Sequence, residues 1–251
     1  MKISIKTPEQ IEIMRKGGKI LYNILQKIKQ ETKAGMTTKD LDDVSMELFH
    51  LNNVRPSFLG YGGFPASVCV SVNDEIVHGI PGDRVLQNGD IVSVDCGVLY
   101  KGFHTDSCIT YPVGGDNEIS KETKHLLEIT EKSLKNAISK CEDGVKLGDI
   151  SYAIQKTVEN EGLTIVRNLT GHGIGKNVHE PPQVLNYGKP NSGIRLQEGM
   201  TIAIEPIVVI GNEENYTLDD DWTIVSADGK LSAHFEHTVA ITKKGAEILT
   251  I

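Results

Sequence analysis

QNGDIVSVD (87–95) and QEGMTIAIE (197–205) are two versions of one pattern, 110 positions apart. Each opens Gln-x-Gly, continues through a mostly aliphatic run and ends on an acid: Asp95 in the first, Glu205 in the second. A second matched pair lies upstream. Gly35-Met-Thr-Thr-Lys-Asp40-Leu41 and Gly144-Val-Lys-Leu-Gly-Asp149-Ile150 both read G-x-x-x-x-D-aliphatic, at an offset of 109. Two patterns in the same order at nearly one shift make coincidence a poor explanation. They predict two related halves, roughly 1–115 and 116–251, joined by an approximate internal two-fold. Each half then closes a hydrophobic strand with a carboxylate, and an ionised carboxylate there is costly unless something compensates it.

The elements around these stretches read as one α+β unit. Thr7-Pro8-Glu9-Gln10 is a helix start, with a capping threonine, a proline in the first turn and Gln three residues on. Ile11, Met14, Leu21, Leu25 and Ile28 continue it as an apolar stripe, weakened locally by Gly17-Gly18. Further helices are predicted from about Thr38 to Leu51, from near Ser120, and after Asp149 to Gly162. Strands read from SVCVSV, DIVSVDCGVLY, SCITYPV, TIAIEPIVVI, WTIVS and FEHTVAIT, with Asp228-Gly229 as a hairpin turn.

Composition narrows the class. The 251 residues suffice for a substantial core. Lys plus Arg total 26 against 34 Asp plus Glu, a formal net charge of −8, which argues against a dedicated nucleic-acid binder. No apolar segment follows Met1, so no secretory leader is expected. No run approaches the ~20 apolar residues of a membrane helix. Cys69, Cys96, Cys108 and Cys141 show no CxxC spacing, as in a cytoplasmic protein with reduced thiols.

A third comparison extends the repeat. His104-Thr-Asp106 and His234-Phe-Glu236 share an H-x-acid pattern before an apolar run, at an offset of 130, so the second half has a longer connection. Asp95 and Asp106 also fit one hairpin turning near Tyr100-Lys101-Gly102, which places both side chains on one face. Two such acids repel unless a proton or a metal lies between them. Asp95, Asp106, Glu205 and Glu236 with His172 of GHGIG form an oxygen-rich donor set with one nitrogen. It suits Mn, Fe, Co or Zn, and its charge suits two cations, which between them can hold and deprotonate a water.

VNDEIVHGIPGDRVLQNGDIVSVDCG, GFHTD, GHGIGKNVHEPPQVLNY, GMTIAIEP and SAHFEHT together resemble the type I methionine aminopeptidases, in order, in spacing and across essentially the whole chain. The resemblance implies the pita-bread (creatinase/aminopeptidase) fold, two pseudo-two-fold-related α/β halves around a curved antiparallel sheet, here one catalytic domain over 1–251. It implies two divalent metal ions, with nickel added to the four metals above. Asp95 would bind one, His172 and Glu205 the other, and Asp106 and Glu236 would bridge them. Glu205 would also handle the proton as a bridging hydroxide attacks the first peptide bond. His78 and His179 would contact substrate without binding metal. Phe58, Tyr61, Phe64, Cys69 and Trp222 would line the methionine pocket, although Phe58 and Phe64 read equally well as ordinary core aromatics.

The implied partners are N-termini of nascent polypeptides and peptides, with transient ribosome proximity, no membrane, no dedicated nucleic-acid contact and a monomeric state. Excision in this family precedes a small second residue, so Met1 of this chain, followed by Lys2, is expected to be retained. Three positions depart from a common pattern. Phe58 stands where a smaller Cys is common, Val178 where an aromatic is common, and Leu169 where an aromatic or Met is more common. His104, His234 and His237 either orient carboxylates or serve packing. His50 and His125 fall on predicted helices and read as structural. A proline-specific aminopeptidase on the same fold usually carries a large extra N-terminal domain, whereas only about 70 residues precede CVSVND here. A metal-free binding module, or a metal-free relative acting on creatine, lacks the ligands that this chain keeps.

Overall fold

The computed structural model describes residues 3–251; the Met1-Lys2 pair behind the retention expectation lies outside the described residues. Four helices form where the caps and stripes place them: α1 Pro8–Glu31, α2 Thr38–Leu51, α3 Lys121–Ile138 and α4 Leu147–Glu159. Thr7 and Gln10 close a capping box on α1, and Ser120 caps α3. Helix α4 starts two residues before Asp149, because backbone pairing outside the helix, described below, fixes its first turn. Gly17 and Gly18 mark a close approach of α1 to the sheet. A Cβ at Gly18 would lie 2.1 Å from the Leu249 carbonyl oxygen, and one at Gly17 would lie 3.2 Å from Tyr100 Cβ.

A nine-stranded sheet holds the molecule together. Its strands are β1 Arg55–Pro56, β2 Val68–Val72, β3 Ile91–Tyr100, β4 Phe103–Pro112, β5 Thr170–Gly173, β6 Glu180–Leu185, β7 Thr201–Ile204, β8 Glu236–Thr242 and β9 Gly245–Ile248. The order is β1-β3-β4-β8-β7-β5-β6, with β2 also on β3 and β9 also on β8, and the pairs are antiparallel. The contact between β4 and β8 joins the two halves, and their cores lie on separate helix pairs. Leu21, Leu25, Ile28 and Leu41 pack with Val92 and Val94; Leu126, Leu134, Ile150 and Ile154 pack with Ile202 and Ile204.

The repeat is visible bond by bond. The Gly35 N–H reaches the Leu86 carbonyl and the Gly144 N–H the Leu196 carbonyl. Leu86 N–H donates to the Met36 carbonyl and Leu196 N–H to the Val145 carbonyl, both at 2.8 Å. A bridge between Thr37 and Val85 has its counterpart between Lys146 and Arg195. In each half the G-x-x-x-x-D turn is thus stitched to the segment that enters the strand ending in an acid.

Three expectations are corrected. TIAIEPIVVI is not one strand: Pro206 lacks an N–H, the ladder stops at Ile204, and Ile207–Val209 joins a separate small sheet between Thr164–Ile165 and Ser232–His234. Asp228-Gly229 is a turn, with Gly229 at φ 68°, but its flanks do not form a hairpin. Ile224–Ser226 pairs with Asn215–Thr217 and Glu75–Val77, while Ser232–His234 pairs elsewhere. Third, the glycine- and proline-rich stretch around His172 contains β5 and β6, which tertiary pairing makes despite poor strand propensity. Among the described residues no helix is long and apolar enough to cross a membrane.

Candidate functional site

The hairpin β3–β4 turns through Lys101-Gly102, and its register opposes Asp95 to Cys108 and Gly97 to Asp106. Asp95 and Gly97 are two apart on one strand, so Asp95 and Asp106 project from the same face, as the odd register requires. Gly97 also lets another segment lie on this face. A Cβ there would fall 2.6 Å from Ser57 Cβ and 3.0 Å from the Phe58 ring. Glu236 opens β8 opposite Cys108, and Glu205 follows the last residue of β7. Asn186 Nδ2 donates to the Glu205 carbonyl at 2.9 Å, supporting the chain where Pro206 ends the ladder. His172 lies on β5, paired with Ala203 of β7.

All twelve residues singled out in the sequence line one cavity of about 120 Å³: Phe58, Tyr61, Phe64, Cys69, His78, Asp95, Asp106, His172, His179, Glu205, Trp222 and Glu236. One wall is ionisable. His172 Nδ1 faces the Gly173 carbonyl oxygen at 2.9 Å, which points Nε2 at Glu205 Oε1 (3.6 Å) and Asp106 Oδ2 (4.0 Å). Ligand atoms of Asp106, His172 and Glu236 lie within 4.8 Å of one another. Asp95 Oδ1, Asp106 Oδ1 and Glu236 Oε1 are buried without a hydrogen-bond partner. Such atoms in a protein interior call for a proton, an ion or a water.

The electrostatics follow from this crowding. Burial, partly offset by bonding to Asp106, pushes Asp95 up to about 7. Burial and then the neighbouring acids push Asp106, Glu205 and Glu236 well above the carboxylate range. Burial and the nearby His179 bring His172 and His78 down to about 4, so both are neutral at neutral pH. Uncompensated, four acids in this space resist ionising together.

A second, apolar wall adjoins the acids where Cys69 pairs across from Asp95. Phe58, Phe64, Ala66, Cys69 and Val178 form a buried cluster with Trp222 and Ile80 against it. Phe58 and Val178, two of the three departures from the common pattern, therefore belong to one cluster. Leu169 packs elsewhere, with Ile76, Val166 and Ile207. Phe64 meets Trp222 edge-on at 5.1 Å. Tyr61, a partly exposed lining residue, has its hydroxyl 2.8 Å from Nδ1 of His179, whose ring centroid is 4.2 Å from that of His172. His78 reaches the cavity from a left-handed backbone position, φ 60°.

Among the histidines left open, His104 and His237 face hydroxyls, Ser57 and Thr250, each at 2.9 Å. His234 differs: its buried Nε2 lies 3.7 Å from Glu205 and 4.0 Å from Glu236, with no hydrogen-bond partner. Thr238 closes the SAHFEHT motif, but the sequence assigned it no role. Its hydroxyl accepts the Asp106 N–H at 2.9 Å and donates to the Asp106 carbonyl at 2.8 Å, locking β4 to β8 beside the acids.

A fold built of two matched halves, with a buried carboxylate–imidazole centre at their junction, is that of a metallopeptidase, and the chain belongs to metallopeptidase family M24, whose model matches residues 12–243. Within the family it is similar to methionine aminopeptidase 1 of Bacillus subtilis, 49% identical over 248 residues and covering 99% of each chain. It is 42% identical to the methionine aminopeptidase of Escherichia coli K12, over 100% of this chain and 95% of that one. The crystal structure of methionine aminopeptidase from Thermotoga maritima superposes with a TM-score of 0.96 at 45% identity, covering 99% of each chain. Prolidase from Pyrococcus furiosus shares the fold at a TM-score of 0.80 and 24% identity, with 98% of this chain matched to 65% of that one.

Proposed function

We propose that this chain is a metal-dependent aminopeptidase that removes the N-terminal methionine of nascent proteins and peptides when the second residue is small. The observation that carries this reading is the cavity itself: four crowded acids and a neutral imidazole on one wall, and a second, aromatic and thiol-bearing wall that adjoins it at Cys69. A flexible, polarisable thioether suits the second wall. The buried, unpartnered carboxylate oxygens suit hard divalent cations, and their charge suits two. Asp95 would hold one, His172 and Glu205 the other, with Asp106 and Glu236 shared; Mn, Fe, Co, Zn and Ni are all compatible. When bound, the metals supply Lewis-acid polarisation of the carbonyl and a lowered pKa for water.

The chain's own groups do the rest. Glu205 takes the proton of the attacking water and returns it to the leaving amine. Tyr61 occupies Nδ1 of His179, which leaves Nε2 for the substrate. His78, kept neutral by burial, offers a second uncharged contact beside it. The free amino group of the substrate belongs near Asp95, with the methionine side chain against Phe58, Phe64, Cys69 and Trp222. Two halves forming one catalytic unit, a monomer in the cytoplasm meeting chains near the ribosome, complete the reading.

The test is peptide release after stripping metal and restoring Mn or Co, with Met-Gly-Met, Met-Lys-Met, Leu-Gly-Met and Ala-Pro-Met. Metal-dependent release of methionine from Met-Gly-Met alone supports both the activity and the small-residue rule. Cleavage of Ala-Pro-Met moves the chain to the proline-specific branch. No cleavage with metal bound removes the enzymatic reading.

A further inference from the structure

The segment that returns from His172 to His179 is anchored from outside the site. Lys6, in the extended chain before α1, has a side chain only 3% exposed, and its Nζ donates to Oε2 of Glu180 at 2.8 Å. The Glu180 side chain is 8% exposed, and its other oxygen accepts the peptide N–H of Asn177 at 3.1 Å. Lys6 is itself fixed, its N–H donating to the Gly199 carbonyl at 2.7 Å, two residues before β7. The lysine stem runs directly beneath the loop backbone. A Cβ at Gly175 would lie 2.5 Å from Lys6 Cε and 2.9 Å from Glu180 Oε1.

A buried ion pair is a poor way to gain stability, because desolvating two charges often costs more than their attraction returns. It does fix a length and a direction, which aliphatic packing does not. The loop it holds lies against the lysine stem at Gly175, while Ile174 before that glycine and Val178 after it are buried in two separate apolar clusters. Its two histidines are held differently. His172 lies on β5 and is placed by pairing on both sides. His179 lies beyond the strand, beside Glu180, with the Tyr61 hydroxyl on its ring.

We propose that Lys6 and Glu180 are positioning residues for His179: the buried ion pair fixes the return of the loop, so that the His179 imidazole faces the cavity. Neither touches substrate. Lys6 acts through Glu180, and Glu180 acts through its peptide link to His179 and its bond to Asn177. The inference rests on the aminopeptidase reading, in which His179 contacts substrate. Metal binding, which depends on His172, is expected to be independent of the pair.

The experiment compares Lys6→Met, Glu180→Gln, Lys6→Arg and the apolar double variant Lys6→Met/Glu180→Leu. It measures kcat and KM on Met-Gly-Met, Tm, Mn affinity by calorimetry and amide exchange over residues 174–180. The double variant is expected to keep its Tm and Mn affinity while kcat/KM falls about tenfold or more, mostly in kcat, and loop exchange accelerates. Lys6→Arg is expected to recover most of the rate. Wild-type kcat/KM and unchanged loop exchange in the double variant would overturn the proposal and leave the pair a packing feature. If the double variant does not fold, Glu180→Gln, nearly isosteric, decides by the same readouts. Should the unmodified protein release no methionine, the aminopeptidase reading fails, while loop exchange still reports whether the pair holds the loop.

Discussion

The two halves reach the same centre by different routes. In the first, Asp95 and Asp106 both lie within one uninterrupted hairpin, so ten consecutive register pairs fix their spacing. In the second, Glu205 sits just past β7, at a break made by Pro206, and Glu236 returns only after an excursion through two other sheets. That excursion carries Trp222, while His172 lies on β5, which flanks β7 as β2 flanks β3, and His179 immediately precedes β6. The helix turns differ as well. α2 is closed by a capping box of Thr37 and Asp40, whereas Lys146, at the capping position before α4, makes no side-chain cap, yet both are held by the same backbone bridge. The comparison teaches that the repeated strands supply the carboxylates, while connections in both halves supply the selective groups, Phe58, Tyr61, Phe64 and His78 in the first and His179 and Trp222 in the second.

If the halves contribute equally to the centre, removing a shared acid from either should be equally damaging. Asp106→Asn and Glu236→Gln are each expected to lower kcat/KM by about 10³-fold or more and to weaken Mn binding. Calorimetry and peptide assays check this; a dispensable acid in one half would break the symmetry. Metal removal gives the next largest effect, and it depends on pH. Asp95, held up to about 7, and its raised neighbours keep protons in the metal-free folded state. Their contribution to stability is present below the ordinary carboxylate range and is lost as pH rises through 7. A cation must displace those protons, so its stabilisation should grow across the same window. At 100 times its dissociation constant a ligand adds about 2.7 kcal/mol. Melting with and without Mn should show a larger gain at pH 7.5 than at pH 5.5; a gain independent of pH would contradict the raised acids.

Two smaller effects sharpen the contrast between the halves. Gly18→Ala would drive a Cβ into the Leu249 carbonyl and is expected to cost about 1–3 kcal/mol in a denaturant melt. The position 109 residues on, Leu127, already carries a large side chain packed against its own core. Thr37→Ala should cost about 1 kcal/mol through the lost cap, while Lys146→Ser, adding a cap where none exists, should gain a few tenths to about 1 kcal/mol. Equal and opposite shifts would show that the two turns differ only in cap chemistry.

Much of this was legible in the chain because it is local. Thr7 and Ser120 announce their helices through hydrogen bonds spanning three residues, and Thr37 and Asp40, read only as part of the repeat, do the same for α2. The common face of Asp95 and Asp106 follows from a period of two and a two-residue turn. The repeat was legible because both halves obey the same backbone demands, a left-handed glycine at Gly35 and Gly144 before a bridged helix start. The break at Pro206, the parting of the strands around Gly229 and the strands around His172 were not, because partners far along the chain decide them. Lys6 lies in no motif, and the motifs that contain Thr238, His234 and Glu180 do not say what those side chains touch.

The sequence by itself determined the helices, the hairpin, the order of the halves and the residue types of the centre, since each follows from neighbours a few positions away. Tertiary structure decided which acids lose their water together, which imidazole faces them, and what holds the His179 loop. The reason is physical: desolvation and charge repulsion depend on groups brought close from more than a hundred residues apart, and no local period encodes that distance.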